Sequence, residues 1–320
     1  MAHSGRVDRA RDVVYRPEAG HGHMSEAQHA RPVAGILWML ATTLLFISVN
    51  VTVKFVGDGL PIFESAFLRF LLGLILLVPM LGQARHLKMT PRLWKLSLAR
   101  AVFHGFAMTA WFFAMTRIPM AEVTAMNFMN PLYVTIGAVL IFGEKLRAPR
   151  IAALFVAFLG GLLILRPGMR DLDAGHVAMI FTAMLFAGSY LIGNRLSREM
   201  PATMVVFLLS ISVPFVLAPF ALANWVTPSL HQLVLLFITA VCATLGHYSM
   251  TRAFACAPQT VIQPVTFVQL VWSVLLGWTI FGEVPDLVVI LGGVMIMGAV
   301  TFITWREARR KADVPESVKH

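Results

Sequence analysis

The segment PMAEVTAMNFMNPLYVTIGAVLIFGE, residues 119–144, has a second version 139 positions later, PQTVIQPVTFVQLVWSVLLGWTIFGE, residues 258–283. Both versions begin with proline, continue through a long, mainly apolar stretch and end in IFGE. Further upstream, a shift of 140 places Pro61 on Pro201 and Phe46 on Phe186. Two parts of the chain, residues 33–168 and 174–306, therefore follow one sequence plan.

The composition places both parts in a membrane. Of the 320 residues, 58% are apolar and 13% are charged, whereas about a quarter of an average soluble domain is charged. Ten apolar stretches are each long enough to cross a hydrocarbon core of about 30 Å: 33–54, 61–82, 96–116, 120–142, 149–168, 175–195, 202–224, 231–252, 259–281 and 286–305. The sequence predicts an all-α polytopic membrane protein with ten transmembrane helices. Since five spans is an odd number, the two five-helix repeats are inverted relative to each other.

The positive charge of the chain predicts its orientation. With both termini on one side, 21 of the 26 Lys and Arg residues fall on that side. The positive-inside rule then places both termini in the cytoplasm, and the expected location is the cytoplasmic (inner) membrane. The net charge of +10 is explained by topology, so nucleic acid is not expected as a partner. The exceptions are Lys54, Arg117, Arg166 and Arg170 on the other side, and Arg69 within the membrane.

The predicted organisation has four parts. Residues 1–32 are a polar, disordered cytoplasmic tail, in which Met24 is an alternative start. Residues 33–168 and 174–306 are the two repeats, and 307–320 form a second cytoplasmic tail. The expected partners are the lipid bilayer and a small-molecule metabolite, and a homodimer is an open alternative.

A stripe of polar residues lies along one face of span four and again along span nine. Thr124, Asn127 and Asn130 follow a helical spacing, and the shift of 139 places Gln263, Thr266 and Gln269 at the same positions. Amides and hydroxyls of this kind bind a polar ligand, or else they hydrogen-bond neighbouring helices to each other. We take Asn127, Asn130, Gln263 and Gln269 as candidate substrate-binding residues, and helix–helix bonding as the alternative.

Proline interrupts both of these spans. Pro131 and Pro264 cannot donate a backbone hydrogen bond, so the carbonyls of Asn127 and Thr260 lose their usual partner. Irregular backbone at membrane depth is tolerated where it lines a cavity or is buried in protein. The prolines therefore indicate either a ligand-lining break or a simple kink.

Ionisable residues inside the spans are few, and each is a candidate for function. Arg69 would cost roughly 2.5–3.5 kcal/mol if it faced lipid, so it must face a partner, water or ligand. His104 and His247 titrate near neutral pH and are candidates for proton coupling, or they are neutral packing residues. Glu64 lies close to the outer surface, where it is a weak proton carrier. The candidate site is completed by Tyr190 and Tyr248 in spans six and eight.

Enzymatic motifs and cofactor motifs are missing from the sequence. It contains no HExxH, no GxSxG and no phosphate-binding loop, and Cys242 and Cys256 fit no metal spacing. We therefore expect no enzyme activity, no catalytic residues, no metal and no cofactor. Gly143 and Gly282 are expected to end helices, with Glu144 and Glu283 in turns on opposite membrane faces.

Two five-span halves that each contain a P…IFGE helix resemble the EamA branch of the drug/metabolite transporter superfamily over residues 33–306. The segments FESAFLRFLLG (63–73), GFAMTAWFFAMTRIPMAEVTAMNFMNPLYV (105–134) and FVQLVWSVLLGWTIFGEVPD (267–286) are similar to bacterial S-adenosylmethionine and riboflavin uptake transporters. The resemblance implies a ten-span secondary transporter with a central cavity between inverted repeats. Its cargo would be a small polar or amphipathic metabolite resembling S-adenosylmethionine, riboflavin or an amino acid. Other relatives are exporters, so the direction stays open, and the alternative function is a non-transporting membrane sensor or assembly factor.

Overall fold

Helices account for nearly all of the described chain. The computed structural model describes residues 31–80, 89–142, 148–169, 171–197 and 199–312, and twelve α-helices lie within these ranges. The helices of the first half are α1 (Pro32–Val56), α2 (Ile62–Gly73), α3 (Pro91–Arg117), α4 (Met120–Asn127), α5 (Asn130–Phe142) and α6 (Ala148–Leu165). Those of the second half are α7 (Ala174–Leu196), α8 (Ala202–Ala223), α9 (Leu230–Cys256), α10 (Gln259–Thr266), α11 (Val268–Phe281) and α12 (Leu287–Ala312). The repeat relates each helix to the one numbered six higher.

The predicted spans are present as membrane-crossing elements. Within the described residues, nine helical segments are long and apolar enough to cross a membrane, counting α4 with α5 and α10 with α11 as single segments. The remaining span, 61–82, is not one α-helix, because α2 ends at Gly73 and Leu74–Met80 continue as a 3-10 helix. At about 1.5 Å per α-helical residue and about 2.0 Å per 3-10 residue, these two pieces together still cover about 32 Å. The fold is thus the predicted all-α bundle of ten crossings.

Helix starts repeat in kind as well as in position. Thr90 and Ser229 are matched by the shift of 139 and occupy the N-cap positions of α3 and α9. Each side chain accepts a hydrogen bond from the backbone N–H three residues later, which satisfies a donor that the helix leaves free. Prolines occupy the N-cap positions of α2, α4, α8 and α10: Pro61, Pro119, Pro201 and Pro258. The sequence repeat therefore appears in the structure as a repeat of helix boundaries.

The principal helix interfaces join the two repeats. Helix α1 packs along α9, and its counterpart α7 packs along α3. Two further interfaces, α6 with α12 and α2 with α8, join a helix to its own counterpart. This pattern is that of two interlocked halves related by a two-fold axis in the membrane plane, which is the inverted-repeat arrangement. We call the end of the bundle where α1 begins the terminal face and the end where α1 finishes the distal face.

Small residues bring α6 and α12 into backbone contact. A Cβ atom added to Gly160 would lie 2.7 Å from the carbonyl oxygen of Gly292, and one added to Gly292 would lie 2.7 Å from that of Gly160. Neither position can therefore carry a side chain without moving the helices apart. The small residues of spans five and ten thus pack within the chain, as small-residue membrane interfaces do.

Spans four and nine are both broken at matched positions. Between α4 and α5 the chain turns at Phe128 and Met129, and between α10 and α11 it turns at Phe267. Phe128 and Phe267 are 139 positions apart, and their rings meet edge to face with centroids 5.8 Å apart. The two breaks therefore meet where the two-fold axis passes between the repeats. The proline pattern correctly indicated an interruption here.

The two faces of the bundle differ. At the distal face, α4 packs against α11 and α12. If the terminal face were packed in the same way, α10 would lie against α5 and α6. The described parts of these helices instead make few contacts with each other. The main hydrophobic core extends to the distal end, where Val56, Leu60 and Ile118 are buried. Within the described residues the bundle is therefore closed at the distal face and looser at the terminal face.

Candidate functional site

Arg69 of α2 is a buried cation for which the described residues supply no acidic partner. Its side chain is 9% exposed and its guanidinium lies 4.5 Å from the centroid of the Phe70 ring. The Nε atom is buried without a hydrogen-bond partner among the described residues. Glu64, one helical turn and a half earlier, instead accepts a hydrogen bond from the backbone N–H of Val226 at 3.0 Å. A buried guanidinium in this state is held by an aromatic ring but is not neutralised.

The two intramembrane histidines pack against matched phenylalanines. The His104 ring lies 5.1 Å from Phe186 of α7, and the His247 ring lies 5.1 Å from Phe46 of α1. Phe46 and Phe186 are repeat counterparts, so the two histidines lie at similar levels in opposite halves. His104 also shares a hydrogen bond of 3.2 Å with the hydroxyl of Ser189.

A second cation lies next to this group. Arg100 precedes His104 by one turn of α3, and its Nη1 donates to the carbonyl oxygen of Val205 at 3.0 Å. Both Arg69 and Arg100 are within electrostatic range of His104 and of His247. Sequence reasoning missed Arg100, although its spacing of four residues from His104 was a visible signal. We call Arg69, Arg100, His104 and His247 the basic cluster.

The basic cluster borders an interior space. Tyr190 stacks on Phe186 with ring centroids 5.8 Å apart and lies in electrostatic range of Arg100. Tyr190 is 44% exposed and His247 is also exposed, so accessible space lies beside the basic cluster. The structure thus brings four of the predicted site residues together: Arg69, His104, Tyr190 and His247.

Tyr248 belongs to a different contact. Its ring meets Trp38 of α1 with centroids 6.1 Å apart, and the guanidinium of Arg252 lies 5.7 Å from the same Trp38 ring. These residues are nearer the terminal end of α9 than His247 is. Among the described residues, the ring contact of Tyr248 is with Trp38 and not with a side chain of the basic cluster.

The polar stripes divide into bonded and available groups. Asn127 accepts a hydrogen bond of 2.9 Å from the amide of Asn130, and the Asn130 oxygen is buried without a partner among the described residues. Thr124 accepts from Asn50 of α1 at 3.4 Å, which is a helix–helix contact. In span nine the Thr266 hydroxyl donates to the Gln263 carbonyl at 2.6 Å. Gln269 is half-buried beside the break. Helix bonding and an available acceptor therefore coexist on these faces.

The second IFGE motif closes the distal face. The Glu283 carboxylate pairs with Lys54 of α1, and its other oxygen accepts from the backbone N–H of Met120, the first residue of α4, at 2.9 Å. Gly282 adopts the left-handed conformation with φ of 66°, which confirms the expected helix end. The expected turn-and-cap role of Glu283 is also confirmed, and the cap is on a helix of the other repeat. Gly143 and Glu144 lie outside the described residues.

A buried carboxylate–imidazole pair lies beside this contact. Glu122 Oε2 of α4 is 2.5 Å from His176 Nε2 of α7, and each side chain is 5% exposed. The His176 Nδ1 is 3.3 Å from the carbonyl oxygen of Asp173. Sequence reasoning counted neither residue among the ionisable groups within the membrane. Their positions at the first turns of two spans made them resemble surface residues.

A further ion pair, beside Lys54–Glu283, joins spans five and ten at the same face. Arg166 pairs with Asp286, whose carboxylate also accepts from the backbone N–H of Val288 at 2.8 Å. Burial opposes ionisation of Asp286, but the Arg166 hydrogen bond and the backbone N–H groups outweigh it and lower the pKa of this carboxyl. The distal face is thus fastened by Lys54–Glu283, Glu122–His176 and Arg166–Asp286, each of which crosses between the repeats.

Inverted repeats with spans broken near the membrane midplane recur in transporter folds. The sequence profile of the EamA-like transporter family matches residues 33–166 and 173–305. The chain belongs to that family. Within the described residues, no group of three or more His, Cys, Asp or Glu side chains has the arrangement to hold a metal ion.

Several characterised relatives are transporters of small metabolites. The chain is 31% identical over 286 residues to a riboflavin transporter of Vibrio cholerae, covering 87% of this chain and 95% of the relative. It is 28% identical over 284 residues to an S-adenosylmethionine uptake transporter of Rickettsia prowazekii, covering 88% and 96%. A pseudopaline exporter of Pseudomonas aeruginosa is 27% identical over 268 residues, covering 83% and 94%. These names belong to transporters and not to enzymes, and the group contains both uptake and export proteins.

One protein of known crystal structure has a similar fold. It superposes with a TM-score of 0.54 at 16% sequence identity and covers 90% of this chain and 99% of its own. At this identity the likeness concerns the fold alone.

Proposed function

We propose that the protein is a secondary transporter that carries a small polar or amphipathic metabolite across the cytoplasmic membrane. The observation that carries the proposal is the grouping of Arg69, His104, Tyr190 and His247 on helices of both repeats, in a bundle whose described residues pack more closely at the distal face than at the terminal face. An S-adenosylmethionine-, riboflavin- or amino-acid-like cargo is in keeping with the relatives' names. Substrate-dependent flux in proteoliposomes, screened with radiolabelled metabolites, tests the proposal.

The orientation belongs to the same proposal. Both termini lie in the cytoplasm, the terminal face is cytoplasmic and the distal face is external, since the positive-inside rule favours this arrangement. The two repeats span 33–168 and 174–306, and the cytoplasmic tails 1–32 and 307–320 flank them. Single cysteines at Arg147 and Asp286 should react with an impermeant reagent from opposite sides of the membrane. Labelling of both positions from one side would rule out the inverted arrangement.

The substrate-binding residues combine the basic cluster with the paired stripes. Asn130 offers an unpartnered buried oxygen, and Gln269 is its repeat counterpart. Replacing either by alanine should weaken substrate binding by about 1–3 kcal/mol, or roughly ten- to hundredfold, because a buried hydrogen bond is lost. Thr124→Val is the matched control, since its hydroxyl already bonds to Asn50. Normal transport by Asn130→Ala and Gln269→Ala would assign the stripes to helix packing.

Proton coupling, where transport is active, is assigned to His104 or His247. Uptake driven by a pH gradient should fall in His104→Gln, His247→Gln and the double variant, while counterflow driven by substrate alone persists. If the double variant still concentrates cargo under a pH gradient, the two histidines are not the coupling site. Glu122 and His176 would then be the next pair to mutate.

A non-transporting membrane sensor or assembly factor is the alternative. It predicts substrate binding without flux in sealed proteoliposomes. The transporter proposal predicts both binding and flux.

A further inference from the structure

We propose that the basic cluster is a binding site for the anionic group, a carboxylate or phosphate, of an organic substrate with a flat apolar body. This inference rests on the proposed function, because it assigns a chemical class to the cargo of the same cavity. It is carried by a charge imbalance: the interior holds two guanidinium groups and no acidic group that contacts them among the described residues.

Arg69 contributes a positive charge that is unpaired within the described residues. The side chain is more than nine-tenths buried, no hydrogen bond to it is made by the described residues, and its Nε atom is buried without a partner. Buried charges in proteins are normally paired, since an isolated one is costly to desolvate. A guanidinium presents a planar fork of donors that fits carboxylate and phosphate oxygens in two parallel hydrogen bonds. The partner missing from the protein is therefore of the kind that a substrate can supply.

Arg100 adds to the positive field without neutralising it. Its Nη1 donates a hydrogen bond to the Val205 carbonyl at 3.0 Å. The guanidinium also lies against Gly193 of α7, since a Cβ atom added to that glycine would be 3.0 Å from Arg100 Cζ. Arg69 and Arg100 both act on His104 and on His247. Four nitrogen-bearing side chains from three helices therefore share one interior region, and an anion bound there would be attracted by the two guanidinium groups.

Glu64 does not balance this charge. It lies five residues before Arg69, about 140° around the helix, and its Oε2 is bonded to the Val226 N–H at the distal end. No ion pair between Glu64 and Arg69 is present. The other acidic groups that contact described partners lie at the two faces: Glu122, Asp173, Glu199, Glu283 and Asp286.

Aromatic rings define the rest of the ligand. The Phe70 ring lies between the Arg69 guanidinium, at 4.5 Å, and the His104 ring, at 5.9 Å. Phe186 similarly lies between His104, at 5.1 Å, and Tyr190, at 5.8 Å. Rings favour stacked or edge-to-face partners, so this wall suits a planar body attached to the anionic group.

Two matched ligand pairs test the site. S-adenosylmethionine against its methyl ester changes only a carboxylate, and riboflavin 5′-phosphate against riboflavin changes only a phosphate. Binding to the purified full-length protein in detergent is measured by calorimetry. We expect the anionic member of at least one pair to bind roughly ten- to hundredfold tighter, because a charge-assisted hydrogen bond is lost in the neutral member. The pair that shows the preference identifies the anionic group.

Variants then assign the preference to residues. Arg69→Gln should remove it, Arg100→Gln should reduce it, and Arg69→Lys should retain part of it because a cation remains. Arg252→Gln is the control, since Arg252 is a basic residue of α9 that lies against Trp38 and outside the cluster. The ratio of affinities within a pair is read for each variant that gives a monodisperse peak and a cooperative melt. A merely structural Arg69 would change the melt and leave the ratio unaltered.

Three results overturn the inference: neither anionic member binds, both members of each pair bind equally, or the preference survives Arg69→Gln. Failure of the transporter proposal is distinguishable, since an Arg69-dependent preference with no flux in proteoliposomes leaves the site intact. Conversely, flux of a neutral compound that is indifferent to Arg69→Gln leaves transport intact and removes the anion site.

Discussion

Glu283 holds the distal face closed through two contacts, and its removal should open that face. In Glu283→Ala, Lys54 of α1 loses its ion-pair partner and the first N–H of α4 loses its acceptor. Loss of a helix cap costs about 1 kcal/mol. The ion pair, whose side chains are 17% and 14% exposed, contributes about 1 kcal/mol more, the upper value for exposed pairs. A total of about 2 kcal/mol should raise the equilibrium constant for opening of the distal face by roughly thirtyfold.

Cysteine accessibility measures this shift. Thr116→Cys, in a background with Cys242 and Cys256 replaced by serine, places a thiol beside a void of about 20 Å³ at the distal end of the bundle. Labelling by an impermeant maleimide applied from the distal side should accelerate in Glu283→Ala.

The control removes a different distal carboxylate. Asp286→Asn breaks the pair with Arg166 that joins α6 to α12 and leaves the cap of α4 in place. It should lower the melting temperature and accelerate the labelling of Thr116→Cys less than Glu283→Ala does, because the backbone contact of Gly160 with Gly292 still holds α6 against α12. Equal labelling rates with and without Glu283, in protein of normal expression, would refute the role given to this residue.

Three further outcomes follow from contacts already described. Gly160→Leu should prevent close packing of α6 on α12 and destabilise the protein by about 1–3 kcal/mol, measured by thermal melting, because an overpacked contact forces the backbones apart. The folded-state pKa of Asp286 is lowered by Arg166, so its stabilising effect is present above the unfolded pKa of about 3.9 and is lost as the pH falls through the folded value. Asp286→Asn should therefore cost stability at neutral pH and converge with the wild type in acid. In a double-mutant cycle, Glu122→Ala and His176→Ala should show a coupling of about 1–3 kcal/mol, and additive effects would mean that the buried contact contributes nothing.

The number of crossings and the repeat were readable from sequence because hydropathy and register are local properties. A proline at matched positions before α2, α4, α8 and α10 marks helix starts whatever the helices pack against. The breaks in spans four and nine were indicated by Pro131 and Pro264 for the same reason. The 3-10 continuation after Gly73 was not indicated, since residues 61–82 are as apolar as an ordinary span.

Contacts between distant helices could not be read in this way. Glu122 and His176 are 54 positions apart, and Lys54 and Glu283 are 229 apart, so only the packing of the two repeats brings them together. The closer packing of the described residues at the distal face is also not readable from the repeat. Residues that the repeat does not match contribute to it: His176 corresponds to Ile36, and Glu122 to Val261.

The interlocking of α1 with α9 and of α3 with α7 has a consequence for biogenesis. The ribosome completes α1–α6 before any of α7–α12 has been made, so the first repeat enters the bilayer while its main neighbours are still missing. Until then Arg69 and the small-residue face around Gly160 are exposed to lipid or held by the insertion machinery. A nascent chain that stops within the second repeat therefore leaves the first repeat without its packing partners. We expect membrane proteases to degrade this chain, so that no stable half-size product accumulates.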